Sequence, residues 1–491
     1  MKATSGKKGF GTPRPLSPIL ARVILPVRRF QQAEHVSGAI LLISAFFAVA
    51  WANSPLRESY YALWQTPVAV QFGPATLSKP LMLWINDGLM AVFFFVVGLE
   101  IKRELLAGDL SSPKRAALPL VAAAGGMLAP AALYTVVASE LGGGEQAVSG
   151  WGIPTATDIA FALGVLALLG RRIPLSAKVF LTALAIADDI GATLLIAFFY
   201  SGELALDWLL VAGGIAGVMF GANWLGVRSA GIYAALGVSL WLAMLESGLH
   251  PTLAGILAAF AIPAFRRLDE GAFLRTTRRL LDDFASENEK DGFVDGFANQ
   301  RQQGQLALIG RTAERAQTPL QRLENSLHPW VAFGVMPIFA LANAGVELPR
   351  SFGDAGRLLA DPVALGVCAG LVIGKPLGIV AATWLAVKTR LARLPRGLTW
   401  TRIAGLGCLG GIGFTMSLFV TSLAFGAGHG SGQGLGHAGA AHAGTQAYTA
   451  HGGRPAEASA AKLGVLTGSV ISGVLGYVIL RRRAGARSSP G

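Results

Sequence analysis

Residues 179–200 read VFLTALAIADDIGATLLIAFFY, and this stretch decides the fold. It is apolar almost throughout. As a helix rising ~1.5 Å per residue it crosses a hydrocarbon layer of ~30 Å. Two adjacent carboxylates, Asp188 and Asp189, interrupt it at its centre. An acid at the middle of a bilayer costs at least about 2.5–3.5 kcal/mol on insertion scales, so a pair there points to function. Neighbours on a helix project about 100° apart, so one acid can face a shared site while the other meets a different partner. The plain alternative is two acids locked in buried salt bridges.

The rest of the chain has the same character. Of its 491 residues, 53% are hydrophobic and 14% charged, with a mean hydropathy of +0.52. Apolar runs of ~17–25 residues recur along nearly the whole length, which describes an all-α polytopic membrane protein. About twelve spans are expected, near 36–52, 81–104, 116–138, 153–169, 176–200, 205–224, 229–247, 249–265, 329–347, 361–387, 401–425 and 463–480. Cys368 and Cys408 both lie in apolar runs, so neither a disulfide framework nor a zinc site is implied.

A net charge of +13 would suggest a nucleic-acid partner in a soluble protein. Its distribution argues otherwise. With the N-terminus in the cytoplasm, Arg57, Lys79, Arg350, Arg357, Arg454 and Lys462 fall outside and Lys375 falls within a span. All the remaining Lys and Arg lie inside, as the positive-inside rule requires. Residues 1–34 then form a basic cytoplasmic tail, without the apolar core of a signal peptide. Residues 35–425 form the transmembrane domain, with a polar cytoplasmic connection of mixed charge at 266–328 that includes helical parts. Residues 426–461 form an external loop beginning GAGHGSGQGLGHAGAAHAGTQAYTAHGG, 462–480 the last helix and 481–491 a basic cytoplasmic tail. His429, His437, His442 and His451 of that loop are spaced irregularly, which favours a linker over a metal site.

Two spans are broken by their own sequence. In GIPTATDIAFALGVLALLG (152–170), Pro154 and the run Thr155–Thr157 interrupt regular helix immediately before Asp158. In GLGCLGGIGFTMSLFV (405–420), five glycines do the same, close packing through small residues being the other reading. Irregular backbone at membrane depth is tolerated only where it is buried in protein or lines a cavity. Paired interruptions in corresponding halves mark the binding site of transporters built from inverted repeats, here spans three to five answered by ten to twelve.

The few other ionisable groups at depth complete the candidates. PVALGVCAGLVIGKPLGIVAATWLAV (362–387) buries Lys375, whose acid partner comes from Asp87, Asp158, Asp188 or Asp189. LMLWINDGLMAVFFFVVGLEIKREL (81–105) carries Asp87 near its start and Glu100, Arg103 and Glu104 at its inner end. Glu100 and Glu104 share a face. Glu324 and His328 in RLENSLHPW (322–330) lie at the same mouth, and His250 opens a span as a membrane-interface histidine.

GLMAVFFFVVGLEIKREL, PTATDIAFALGVLALLG, ALAIADDIGA, LHPTLAGILA, LHPWVAFGVMPIFALANAGV, GKPLGI and GCLGGIGFTMSLFV, in this order, resemble the NhaA-type sodium/proton antiporters over most of residues 35–425. The resemblance implies a secondary transporter rather than an enzyme, of a bacterial inner membrane, with both termini cytoplasmic. It would exchange intracellular Na+ or Li+ for external H+, electrogenically and under pH control. Two broken helices would cross at mid-membrane. Asp189 would be cation ligand and proton carrier, and Asp188 its neighbour, paired with Lys375. These two acids are the only metal ligands implied, for transported Na+ alone.

By the same resemblance, Thr157 and Asp158 would sit at the crossing as part of the cation/proton-binding site, and Asp87 in the outer funnel. Glu100, Arg103, Glu104, Glu324, His328 and His250 would sense pH. Na+, Li+ and H+ are the expected partners, within a lipid bilayer and without cofactor or nucleic acid, a homodimer being the candidate assembly. Asn325 (a position that can carry histidine in relatives), the long 266–328 connection and the His-rich loop depart from the pattern. An intramembrane aspartyl protease would show Gly-x-Gly-Asp at one acid, whereas these acids follow Thr-Ala-Thr and Ile-Ala. A cation channel is the third option, separable by coupled exchange.

Overall fold

The structure, a computed structural model, describes residues 34–72, 75–170, 173–201, 204–265, 270–290, 300–348, 356, 360–425 and 455–484. The expected N-terminal tail, the four clustered histidines and the end of the C-terminal tail fall outside these residues.

Helix α1 (Glu34–Ala52) turns by 113° into α2 (Arg57–Gln65). A hairpin of β1 (Pro67–Phe72) and β2 (Ala75–Pro80) follows, antiparallel, pairing Pro67 with Pro80 and Phe72 with Ala75. The hairpin corrects the all-α reading. In sequence, Val68 and Val70 alternate with small and polar residues, and the Gly-Pro pair at 73–74 is a turn signal between two short β-compatible segments.

The chain continues as α3 (Leu81–Ala107), α4 (Pro113–Glu140), a 3-10 segment Ser149–Thr155, α5 (Ile159–Leu168), α6 (Leu175–Phe199), α7 (Leu206–Trp224), α8 (Ala230–Ser247) and the short α9 (Thr252–Ala261). The polar connection is helical in large part, with α10 (Glu270–Lys290) packed on α11 (Gln300–Ala316). Then come α12 (Pro319–Trp330), α13 (Met336–Asn343), α14 (Pro362–Lys388), α15 (Trp400–Gly410), α16 (Phe414–Phe425) and α17 (Pro455–Ala484). Among the described residues, eight helices are long and apolar enough to cross a membrane, or ten if each bent pair is one span. The chain is a multi-pass membrane protein.

Its surface is inverted relative to a soluble fold. Phe46, Phe198, Leu210 and Val470 point outward, while Asp87, Asp158, Asp188, Asp189 and Lys375 are buried. That arrangement suits a lipid exterior, which rewards apolar contact and excludes charge.

The helices come close where side chains are absent. A Cβ on Gly378 of α14 would run into the Gly125 carbonyl and the Ala129 side chain of α4, so this crossing requires glycine. It brings Lys375, one turn away on α14, against the core.

Among the described residues three π turns interrupt the helices, at Trp84–Leu89, Val331–Val335 and Gly370–Gly374. The last two lie just before Pro337 and Pro376. A proline withholds the N–H that closes an i→i−4 bond and crowds that carbonyl, so the preceding turn opens. The expected ninth span is accordingly divided into the end of α12, a π turn and α13.

Candidate ion-exchange site

The two broken segments meet. The first runs as 3-10 helix to Thr155, passes through extended Ala156 and Asp158, and restarts as α5. The second bends by 47° between α15 and α16. Asp158 N–H donates to the Ile412 carbonyl at 2.7 Å, Thr157 Oγ1 to the Gly410 carbonyl at 2.8 Å, and Ser417 Oγ to the Ile153 carbonyl at 2.7 Å. Backbone groups freed by each break are thus satisfied by the other.

The crossing collects four half-helix ends, and two side chains answer their partial charges. Asp158 lies at the N-termini of both α5 and α16. Its Oδ1 accepts from Phe161 N–H at 3.0 Å, and its Oδ2 accepts from Thr415 Oγ1 at 2.5 Å and Thr415 N–H at 3.3 Å. A carboxylate at two N-termini opposes their positive ends. Lys375 Nζ donates to the Thr155 carbonyl, at the C-terminal end of the 3-10 half. Thr415 escaped the sequence reading, its one signal being its place immediately after a Gly-rich break.

Lys375 also pairs with Asp188, Nζ to Oδ2, at 2.8 Å, which settles its partner among the four acids. Both side chains are at most 2% exposed. The other oxygen of Asp188, Oδ1, is buried and has no hydrogen-bond partner among the described residues. The next residue on α6, Asp189, is 2% exposed, and no hydrogen bond to its carboxylate exists among the described residues. Its backbone carbonyl receives Thr193 Oγ1 at 2.8 Å. The core therefore contains the Lys375–Asp188 pair and, on the consecutive residues Asp188 and Asp189, an unused acceptor oxygen and a carboxyl group without donors among the described residues.

Four of the expected pH-sensing residues come together at the far end of α3. Arg103 lies 3.2 Å from Glu104, 3.3 Å from Glu324 and 3.8 Å from Glu100. Glu324 arrives on α12, started by a capping box in which Thr318 Oγ1 accepts from Gln321 N–H at 3.1 Å. Burial pushes the Glu324 carboxyl above its usual range, Arg103 pulls it back, and Glu104 pushes it up again. His328 follows one turn later on α12 and is exposed. Lys102, beside this group, donates to the carbonyls of Phe260, at 2.5 Å, and Ile262, closing the C-terminus of α9. No sequence pattern announced that role.

Two expected residues lie elsewhere. Asp87 sits in the first π turn of α3, 3.3 Å from Lys79 of β2, while its neighbour Asn86 receives a hydrogen bond from Asn343 at 2.8 Å. The hairpin that carries Lys79 is anchored by Trp84 Nε1 donating to the Val68 carbonyl at 3.0 Å. His250 is 2% exposed, buried among protein side chains. Its Nδ1 lies 2.7 Å from Thr252 Oγ1, and its ring meets Phe419 of α16 edge-on at 5.5 Å. The tight α9–α3 contact draws the start of α9 inward and takes the histidine with it.

Known proteins resemble the chain over nearly its whole length. The family described as Na+/H+ antiporter 1 matches residues 28–480. The Na(+)/H(+) antiporter NhaA of Oleidesulfovibrio alaskensis is 47% identical over 469 residues, covering 96% of this chain and 95% of that protein. The protein of the same name from Koribacter versatilis is 46% identical over 467 residues, covering 95% and 93%. Na(+)/H(+) antiporter NhaA 2 of Sorangium cellulosum is 49% identical over 422 residues, covering 85% and 87%. With a match over nearly its whole length and a broken-helix crossing beside paired buried acids, the chain belongs to the Na+/H+ antiporter 1 family.

Proposed function

We propose that the protein exchanges intracellular Na+ or Li+ for external H+ across a bacterial inner membrane, with Asp188 and Asp189 as the shared site. The observation that carries this reading is Asp189, a buried carboxyl group without donors among the described residues, beside the Lys375–Asp188 pair. A hard cation takes oxygen ligands, and a carboxylate supplies them only when deprotonated. Na+ and protons therefore compete for the same oxygens. If the site reorients with either bound but not when empty, each cycle is an exchange. Thr157 and Asp158 frame the site from the crossing. About twelve spans arranged as inverted repeats would let one bundle rock against the other around it. The termini face the cytoplasm in this reading, and a homodimer is its candidate assembly. The mouth cluster around Arg103, with His328 and the buried His250, tunes the pH response, and Asp87 lies on the outer route.

Exchange is electrogenic in this scheme. The site is neutral with Na+ bound to two ionised aspartates beside Lys375+, and carries one positive charge with both aspartates protonated. Two protons then enter for each Na+ expelled. A potential is worth ~2.3 kcal/mol per charge per 100 mV, enough to drive Na+ out at equal pH. In proteoliposomes, ²²Na+ counterflow against a pH gradient tests the exchange. Valinomycin-clamped Na+ efflux at equal pH tests the stoichiometry. Na+ flux without proton movement would indicate a channel, and voltage-insensitive exchange would indicate one proton per Na+.

A further inference from the structure

The starts of α4 and α6 and the end of α14 enclose a cleft of about 870 Å³ separate from the buried acids. Its floor is apolar, with Leu118, Pro119 and Phe180. Its rim is cationic: Lys114 and Arg115 come from the first turn of α4, and Arg390 and Arg393 from just beyond α14. All four are exposed, and none forms an ion pair with an acid among the described residues. Four unneutralised cations around one cleft repel a transported cation and attract an anion.

Three further observations point to a built site. Arg390 has φ of 59°, the left-handed conformation that closes many helices and that glycine adopts most easily. It is the one non-glycine with positive φ among the described residues, so a charged side chain occupies this rim at a backbone cost. Ser176, which lines the cleft, has its Oγ buried without a hydrogen-bond partner among the described residues. Leu175 and Leu391, also lining residues, are 75% and 59% exposed and continue the floor onto the outer surface of the bundle.

We infer that this cleft binds an anionic phospholipid, its phosphate held between the Lys114–Arg115 and Arg390–Arg393 pairs and an acyl chain laid along Leu175 and Leu391. The apolar floor and its continuity with the outer surface favour a lipid over free phosphate. Basic pockets between helix ends on the positive side of a membrane protein are suited to such headgroups.

The test measures thermal unfolding of the full chain in neutral detergent with added phosphatidylglycerol, phosphatidylcholine or inorganic phosphate, together with lipid retention by native mass spectrometry. Phosphatidylglycerol alone should raise the unfolding temperature and remain bound. Its apparent affinity should fall roughly fivefold for each cation removed, and so roughly 25-fold in K114A/R115A. Arg390→Gly removes the charge while easing the backbone. It should keep or raise the unfolding temperature in detergent alone while losing affinity for phosphatidylglycerol, and R393A should show the same loss. Equal stabilisation by phosphatidylcholine, stabilisation by inorganic phosphate alone, or unchanged phosphatidylglycerol affinity in R390G and R393A would overturn the inference.

Discussion

Asp158 and Asp189 are both buried carboxyl groups, 1% and 2% exposed, but their surroundings differ. Asp158 receives three hydrogen bonds and opposes the N-termini of two half-helices. Asp189 receives none from the described residues, and its neighbour Asp188 has one oxygen on Lys375 and the other unused. A carboxylate fully supplied with donors is held in one state, and releasing it would break the crossing. A carboxyl group left without donors is free to take its ligand from solution, as a proton or as a cation. Under the proposed function, this contrast has Asp158 building the site and Asp189 operating it.

The sharpest way to break the contrast is to exchange oxygen for amide at each position. Asp189→Asn should reduce Na+-dependent proton movement in vesicles to the level of protein-free liposomes, because an amide cannot trade a proton for a cation. Its unfolding temperature should be unchanged or higher, since a buried group that can ionise gives way to an amide of the same shape that cannot. Wild-type exchange in this variant would assign the chemistry elsewhere.

Next in size is the Lys375–Asp188 pair. Lys375→Ala leaves a buried charge uncompensated and should cost ~3–5 kcal/mol in denaturant unfolding. Adding Asp188→Asn should recover part of that loss. A double variant no more stable than Lys375→Ala would show that the pair does not stabilise the fold.

Asp158→Asn should show the opposite profile to Asp189→Asn. Asparagine still caps α5, but the charge facing two helix N-termini is gone, for a loss of about 1–3 kcal/mol. Measurable exchange should survive. Complete loss of exchange with full stability would reverse the division of roles between the two acids.

The smallest effect is expected at the mouth. Glu324 is held above the usual carboxylate range, so it ionises nearer neutrality and adds negative charge at the proposed cation entry as pH rises. Glu324→Gln is neutral at every pH, so the acid limb of the activity profile should move to higher pH. A shift of up to about half a unit matches a partly exposed ion pair, and the maximal rate should be kept. A superimposable profile would leave pH control to Asp188 and Asp189 themselves.

Much of this arrangement was legible in local sequence, because membrane depth makes polar residues conspicuous. Asp188, Asp189 and Lys375 stand out in apolar runs, and Pro154 and the glycines at 405–413 mark the breaks. The partners were less legible, because pairing is decided across the fold. Lys375 reaches Asp188 over 187 positions, and Asp158 reaches Thr415 over 257. The hairpin at 67–80 was hidden by its short strands, although Gly73-Pro74 between two segments without helical periodicity was a usable signal. The π turns before Pro337 and Pro376 were likewise readable in principle, from the hydrogen bond each proline removes.

Proton release on Na+ binding tests the central claim most directly. With the purified protein in weakly buffered detergent at a pH where the site is protonated, adding NaCl should release protons in proportion to the Na+ bound, and Asp189→Asn should release none. Wild-type Na+ binding without proton release, or undiminished release from Asp189→Asn, would contradict competition at this pair of acids.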